Sequence, residues 1–420
     1  MCSVGSMCLS LATSIWSTAP GGVTIPLGFL ASGVTAGFKS TRKLDLALLL
    51  APEQSVCAGT FTQSSIRASC IDLCQHRLKA NADSIRAVLV NSGQANACTG
   101  KQGLLDNIKI TNALADELSL KPEQILICST GVIGQVIPVD KLLKSLNPLR
   151  ENLSKAGAND AAHAILTTDL VTKQIAYECV IGGRLVHIGG MAKGSGMIHP
   201  NMATMLSFIT CDVALPPDKW QEMINRVVEC SFNAITVDGD TSTNDSVIAF
   251  ASGESLEEEY WGLLEDGLIK LTQYLAKAIA RDGEGASCLL EVEVRGTEND
   301  FDARQIALTI CGSSLVKTAI HGCDPNWGRI IAAVGRSGIF VDQEKISLSI
   351  GPYNLVRKGQ TLAFNSSDIS SYIKDRMEGE YLVDDLVNVS LVVGNGEGRS
   401  IAWGCDLSDQ YIRINADYTT

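Results

Sequence analysis

Charge is missing from the start of this chain: no Asp, Glu, Lys or Arg occurs before Lys39, and no Arg before Arg42. A secretory signal needs a basic n-region, so that reading is excluded, and an arginine-rich transit peptide finds weak support. Residues 1–20 read as a loose extension. Long apolar runs are missing too, because Gly, Pro, Ser and Thr interrupt each of them, and no membrane span is expected. The 14 cysteines include no CxxC, and the five histidines are scattered with no HExxH, so a metal centre has no support. No GxGxxG follows a strand and no Walker loop occurs, so nucleotide binding has no support. Basic excess is absent as well: net charge is −12, and such a surface repels nucleic-acid backbones. What remains is a chain of 420 residues, 45% hydrophobic and 19% charged, the composition of a globular protein of about two or three lobes. Cysteines in apolar contexts, such as Cys128 and Cys211, point to reduced thiols and a cytoplasmic setting.

Strand-like and helical runs alternate along the chain, which reads as α/β with mixed sheets rather than a doubly wound fold. The pattern predicts a buried strand over 87–90 ending in a loop at 91–96. A helix follows over 104–118, then a strand over 124–128 that runs into a turn at 129–134. Helices are predicted over 139–153 and 159–168. Gly182-Gly183 is a two-residue turn signal joining strands 174–181 and 184–188. Later come strands over 204–211, 246–251, 289–294 and 386–393, and helices over 218–230, 257–281 and 303–320. Cys70 and Cys74 are one helical turn apart with His76 nearby. Small apolar residues on a buried helix face account for them better than a metal does.

The stretch richest in chemistry is Lys193-Gly-Ser-Gly-Met-Ile-His-Pro-Asn-Met-Ala-Thr204-Met-Leu. Small Ala203 precedes a hydroxyl residue, with a glycine-rich loop upstream and an apolar run downstream. This arrangement suits a chain that cuts itself. The Thr204 hydroxyl attacks the Ala203 carbonyl, the acyl group moves from nitrogen to oxygen, and water opens the ester. Thr204 then carries both a nucleophile and a base. Its freed α-amine has a reference pKa of about 7.7–8.0 and is partly neutral near pH 7. Most Ala-Thr bonds are inert and most Gly-Ser-Gly loops are turns, so this stretch alone does not decide the matter.

Four other places hold candidate chemistry. Thr130-Gly131 has a hydroxyl and an adjacent N–H that suit an oxyanion hole, or it is a strand-to-helix turn with an N-cap. Lys193, on the glycine-rich loop, neutralises a substrate carboxylate, favours the neutral amine of Thr204, or is simply solvated. Glu284, at a glycine-flanked bend after a long helix, holds a cationic amine or is solvated. The polar stretch 238–245 lacks EF-hand spacing and reads as a structured loop near the site. His321 to Arg329 either binds an anion at a helix starting near Asn326 or packs two lobes together.

Together these segments resemble the ornithine acetyltransferase (glutamate N-acetyltransferase) family of the arginine pathway, over about residues 22–420. The resemblance is carried by Asn91-Ser-Gly-Gln-Ala-Asn96, Ser129-Thr-Gly-Val-Ile-Gly134, Thr167-Thr-Asp169, the run from Met191 to Leu206, the loop from Asp238 to Asp245, Asp282-Gly-Glu-Gly285 and Asp324-Pro-Asn-Trp-Gly-Arg329. It implies a layered α/β sandwich of its own topology, self-processed between Ala203 and Thr204 into an alpha chain, 21–203 after the extension, and a beta chain, 204–420. It implies Thr204 as nucleophile and Thr130 and Gly131 as oxyanion hole. It also implies Thr167, Lys193, Thr204, Glu284, Asn415 and Thr420 as substrate contacts. The implied reaction is a ping-pong transfer of acetyl from N-acetylornithine to glutamate through an ester on Thr204. No cofactor or metal is implied, and acetyl-CoA as a second donor stays open. The implied assembly is two alpha and two beta chains, without nucleic acid or membrane. A self-cleaving aminopeptidase or amidase that passes the acyl group to water is the nearest competing reading, and a non-catalytic binding protein is another.

Overall fold

A computed structural model describes residues 15–39, 43–199 and 205–417. Ala203, Thr204 and Thr420 lie outside the described residues, as does most of the extension. The extension is not loose throughout: Trp16 is buried, its indole N–H donates to the Leu263 carbonyl at 2.9 Å, and Ser17–Ala19 pairs antiparallel with Lys173–Ile181.

Two sheets stack at the centre. The first runs Ser17–Ala19, Lys173–Ile181, Arg184–Lys193, Leu206–Ala214, Ser246–Ser255, Val56–Phe61 in spatial order. Its pairs are antiparallel except Leu206–Ala214 with Ser246–Ser255. The second sheet runs Leu30–Val34, Leu46–Leu50, Ala87–Gln94, Ile125–Val132, the last pair parallel. Their continuous apolar runs have a physical reason: alternate side chains face opposite layers, and both layers are dry. Val88, Val90, Leu126 and Cys128 meet Phe208 and Phe250 between the sheets. Ala87, Leu89, Ile125 and Ile127 face the helices Gly100–Leu118 and Val139–Glu151 on the outside. On the far side of the first sheet, Pro217–Glu229 and Trp261–Arg281 pack Trp220, Leu268 and Leu275 against Ile188, Ile209 and Ala249. The order is helix, sheet, sheet, helix, a layered α/β sandwich. Each fully buried Leu or Phe stabilises it by about 2 kcal/mol. At the outer edge the Gln221 amide donates to the Gly59 carbonyl at 3.2 Å and accepts its N–H at 3.1 Å.

A third, mixed sheet carries the later strands, among them Leu289–Thr297, Leu386–Val392 and Gly398–Cys405, with its own core under Asp300–Cys311 and Ser366–Met377. The single helix predicted over 303–320 is two, Asp300–Cys311 and Ser314–His321. Gly312 and Ser313 break it, and the Ser313 hydroxyl caps the second helix at the Val316 amide. The hairpin at Gly182-Gly183 forms as expected, both glycines at positive φ (58° and 78°). Cys70 and Cys74 are buried on one helix, as expected, and carry free thiols. No helix of the described residues is long and apolar enough to cross a membrane.

Candidate active site

Strands Ala87–Gln94 and Ile125–Val132 run past the loop and turn predicted for their ends. Two buried polar residues there are hydrogen-bonded: the Ser129 hydroxyl donates across the pair to Asn91 Oδ1 at 2.7 Å, and the Asn91 amide donates along its own strand to the Gln94 carbonyl at 3.0 Å. Thr130 therefore lies in a strand, opposite Ser92, and is not an N-cap. Gly131 lies opposite Gly93, both at positive φ (127° and 145°). A Cβ on Gly131 would stand 2.3 Å from the Gly93 carbonyl carbon, so glycine alone lets the two backbones close here.

This strand end opens into a cavity of about 250 Å³ lined by Thr130, Gly131, Thr167, Lys193, Glu284 and Asn415 together with the 238–244 loop. Lys193 is not solvated on a loop. It is the last residue of strand Arg184–Lys193 and is 2% exposed. Its ammonium donates to the Thr130 hydroxyl oxygen at 3.4 Å. An ammonium has no acceptor, so that oxygen receives, and the hydroxyl's own proton stays available to the cavity. Burial lowers the Lys193 pKa. Asp169, Asp245 and Glu284 oppose that, and Lys173 adds to it.

Beneath lies a dry ion triad. Lys173 reaches Asp169 at 2.7 Å and Asp282 at 2.6 Å, all three side chains at most 3% exposed. Burial works against ionising Asp169, but Lys173, Lys193 and the Thr167 amide outweigh it and hold the carboxyl well below the usual range. Burial pushes Asp282 up, and Lys173 offsets this only in part.

Carboxylates pin the glycine-rich loop from three sides. Asp169 accepts the Gly194 N–H at 2.7 Å. Asp238 accepts those of Met197 and Ile198 at 2.6 and 2.9 Å. Glu284 stands where a Cβ on Gly196 would come within 2.6 Å of its carboxyl. Glu284 is nearly buried and accepts from the Asn415 amide at 2.7 Å, which brings the C-terminal helix Asp409–Asp417 over the cavity. Tyr411 on that helix donates to Asp238 at 3.3 Å. Asn244 donates to the carbonyls of Ala95 and Ser129 at 2.6 and 2.9 Å, tying the 238–245 loop to the strand that carries Thr130.

The six described candidates thus converge on one cavity. Asp169, Asn244 and Tyr411 were not named as functional. Asp169 and Lys173 stand four apart, the one local hint of the ion triad, while Asn244 and Tyr411 depend on partners far along the chain. The stretch from His321 to Arg329 lies beside the third sheet's core, away from the cavity. The His321 ring meets Asp406 at 2.8 Å, Arg329 reaches back to the Leu315 carbonyl at 2.8 Å, and a helix starts at Trp327 after Asn326.

The chain matches the model of the ArgJ family over residues 30–420. It is 61% identical over 411 residues to an arginine biosynthesis bifunctional protein ArgJ from Prochlorococcus marinus (strain MIT 9313), covering 98% of this chain and 96% of that protein. It is 53% identical to a Synechococcus protein of the same name, covering 96% and 99%. Among solved structures, the arginine biosynthesis bifunctional protein ArgJ of Bacillus halodurans is 43% identical with a TM-score of 0.48, covering 51% of this chain and all of that one.

Proposed function

The chain belongs to the ArgJ family, and from that premise we infer that it is an acyltransferase of arginine biosynthesis that moves acetyl from N-acetylornithine to glutamate through an ester on Thr204. The observation that carries the reading is the Thr130 hydroxyl, held between the Lys193 ammonium and the cavity with Gly131 beside it. Such a pair supplies donors to a tetrahedral oxyanion. The Thr204 hydroxyl adds to the acetyl carbonyl while its own amine takes the hydroxyl proton. The carbon–nitrogen bond breaks, ornithine leaves with that proton, and acetyl stays on oxygen. Glutamate's amine then attacks the ester in the same cavity. A volume of about 250 Å³ sits just below the range usual for drug-sized ligands, which suits an acylated amino acid. Excluding water matters in this reading, because hydrolysis of the ester would waste the acetyl group. The working unit in this reading is two alpha and two beta chains, cut at 203–204.

Supplying N-acetylornithine with and without glutamate tests this. N-acetylglutamate formed only with glutamate is the expected result, and acetate released at the same rate in both arms would reassign the protein to hydrolysis. Replacing Thr130 by Ala removes one oxyanion donor. The turnover number should fall by about 10²-fold or more, with little change in KM. An unchanged turnover number would take Thr130 out of the reaction.

A further inference from the structure

Asp245 sits where two parallel strands begin. Its backbone carbonyl accepts the Thr62 N–H at 3.0 Å, and next to it the Ser246 N–H donates to the Met205 carbonyl at 3.1 Å. Its side chain is fully buried. Oδ1 accepts the Met205 N–H at 3.0 Å, while Oδ2 has no hydrogen-bond partner among the described residues. Met205 follows Thr204 directly, so by covalent structure alone its nitrogen is three bonds from the Thr204 nitrogen and four from the Thr204 hydroxyl oxygen.

An acceptor for the Met205 N–H is all that anchoring requires, and an amide oxygen supplies one as well. A carboxyl here needs another reason, because a dry, unpartnered oxygen costs about 1–3 kcal/mol. The charged group facing Asp245 is Lys193, which is itself surrounded by Asp169, Glu284 and Lys173. The Thr62 hydroxyl nearby gives its proton to the Ser242 carbonyl at 2.8 Å. Burial pushes the Asp245 carboxyl well above the usual range, and the Met205 amide and Lys193 pull it back only in part. The group therefore holds a proton under conditions where ordinary carboxyls have lost theirs.

We propose that Asp245 is the proton carrier of self-cleavage, an assignment that rests on the reading of Thr204 as the cleaving nucleophile. As the Thr204 oxygen bonds to the Ala203 carbonyl carbon, the bond from that carbon to the Thr204 nitrogen breaks. The Asp245 carboxyl gives its proton to the departing nitrogen and is restored by the proton of the hydroxyl. Amide and alcohol become amine and ester with no net proton change. Water then opens the ester, leaving the Ala203 acid and the free Thr204 hydroxyl.

The test follows chains made in a cell-free system and times the appearance of the fragment that begins at Thr204. The Asp245→Asn variant keeps the Met205 anchor but carries no transferable proton. It should be cut at least 10²-fold more slowly, in line with what a positioned acid–base group contributes, roughly 10²–10⁴-fold, with its melting temperature and Met205 amide protection retained. The unaltered chain should be cut more slowly as pH rises through the Asp245 titration, a fall absent from any residual rate of the variant. The proposal is overturned if Asp245→Asn is cut at the wild-type rate while Asp245→Ala is not, because anchoring would then be the whole role. A pH-independent rate in the unaltered chain overturns it with no substitution at all. If the unaltered chain yields no Thr204 terminus, the reading of Thr204 fails first, which is a different outcome from a Thr204 terminus that forms equally well without Asp245.

Discussion

Replacing Thr204 by alanine should leave one uncut chain that transfers no acetyl group. In the proposed mechanism the side chain supplies the oxygen that attacks in both events. Without the first attack the α-amine is never freed, so the base disappears along with the nucleophile. Loss of a nucleophile that works as a unit with its base lowers turnover by a factor on the order of 10⁶. Binding should persist, because Thr130, Lys193 and Glu284 still line the cavity. Calorimetry should therefore detect N-acetylornithine bound to a variant that gives a single full-length band on a denaturing gel. Thr204→Ser, which keeps a hydroxyl, should still cut and turn over. Cleaved, active protein from Thr204→Ala would refute both roles.

Replacing Lys173 by methionine should destabilise the fold by about 3–5 kcal/mol, because it strands Asp169 and Asp282 in a dry interior without their shared cation. For a chain of this length that is a fall in melting temperature of roughly 3–6 °C by calorimetry. The pH dependence identifies the cause. In the intact chain the Asp169 carboxyl is held below its unfolded value. The stability it contributes is present above about pH 4 and is lost as pH falls through the folded value. Without Lys173 both buried carboxyls rise above their unfolded values. The folded variant then binds protons more tightly than the unfolded one, and its deficit relative to wild type should shrink as pH drops from 7 towards 5. A deficit constant across that range would point to lost packing instead. Activity should fall as well, since Asp169 holds the Gly194 amide and hence the start of the glycine-rich loop.

Local patterns announced most of the elements in the central layers. The apolar run at 87–90 describes what that strand buries, the helix over 104–118 forms although its Leu104, Leu105 and Ile108 are exposed, and the hairpin at Gly182-Gly183 needs only its two turn residues. What escaped the sequence depends on distant partners. Strand Ile125–Val132 continues through Thr130 because Gly93 permits the approach of Gly131, a pairing across 38 positions. Lys193 looks like a loop lysine until the third dimension sets Thr130 and three carboxylates around it. The split at Gly312-Ser313 was legible in principle, since both residue types favour helix ends, but apolar spacing on either side masked it. For the site, motif resemblance identified the cavity wall, while the residues that hold the wall in place, Asp169 and Asn244, make contacts that no spacing rule describes.

The first sheet takes Leu206–Ala214 and Ser246–Ser255 from beyond position 204 and interleaves them with Arg184–Lys193 and Val56–Phe61 from before it. A chain severed at 203–204 would keep that weave as long as it stayed folded. Once melted, its pieces would have to meet again by diffusion, and the rate of recovery would depend on their concentration. Dilution, which does not touch the refolding of an unbroken chain, would then separate the newborn molecule from the mature one: the first recovers alone, and the second only in company.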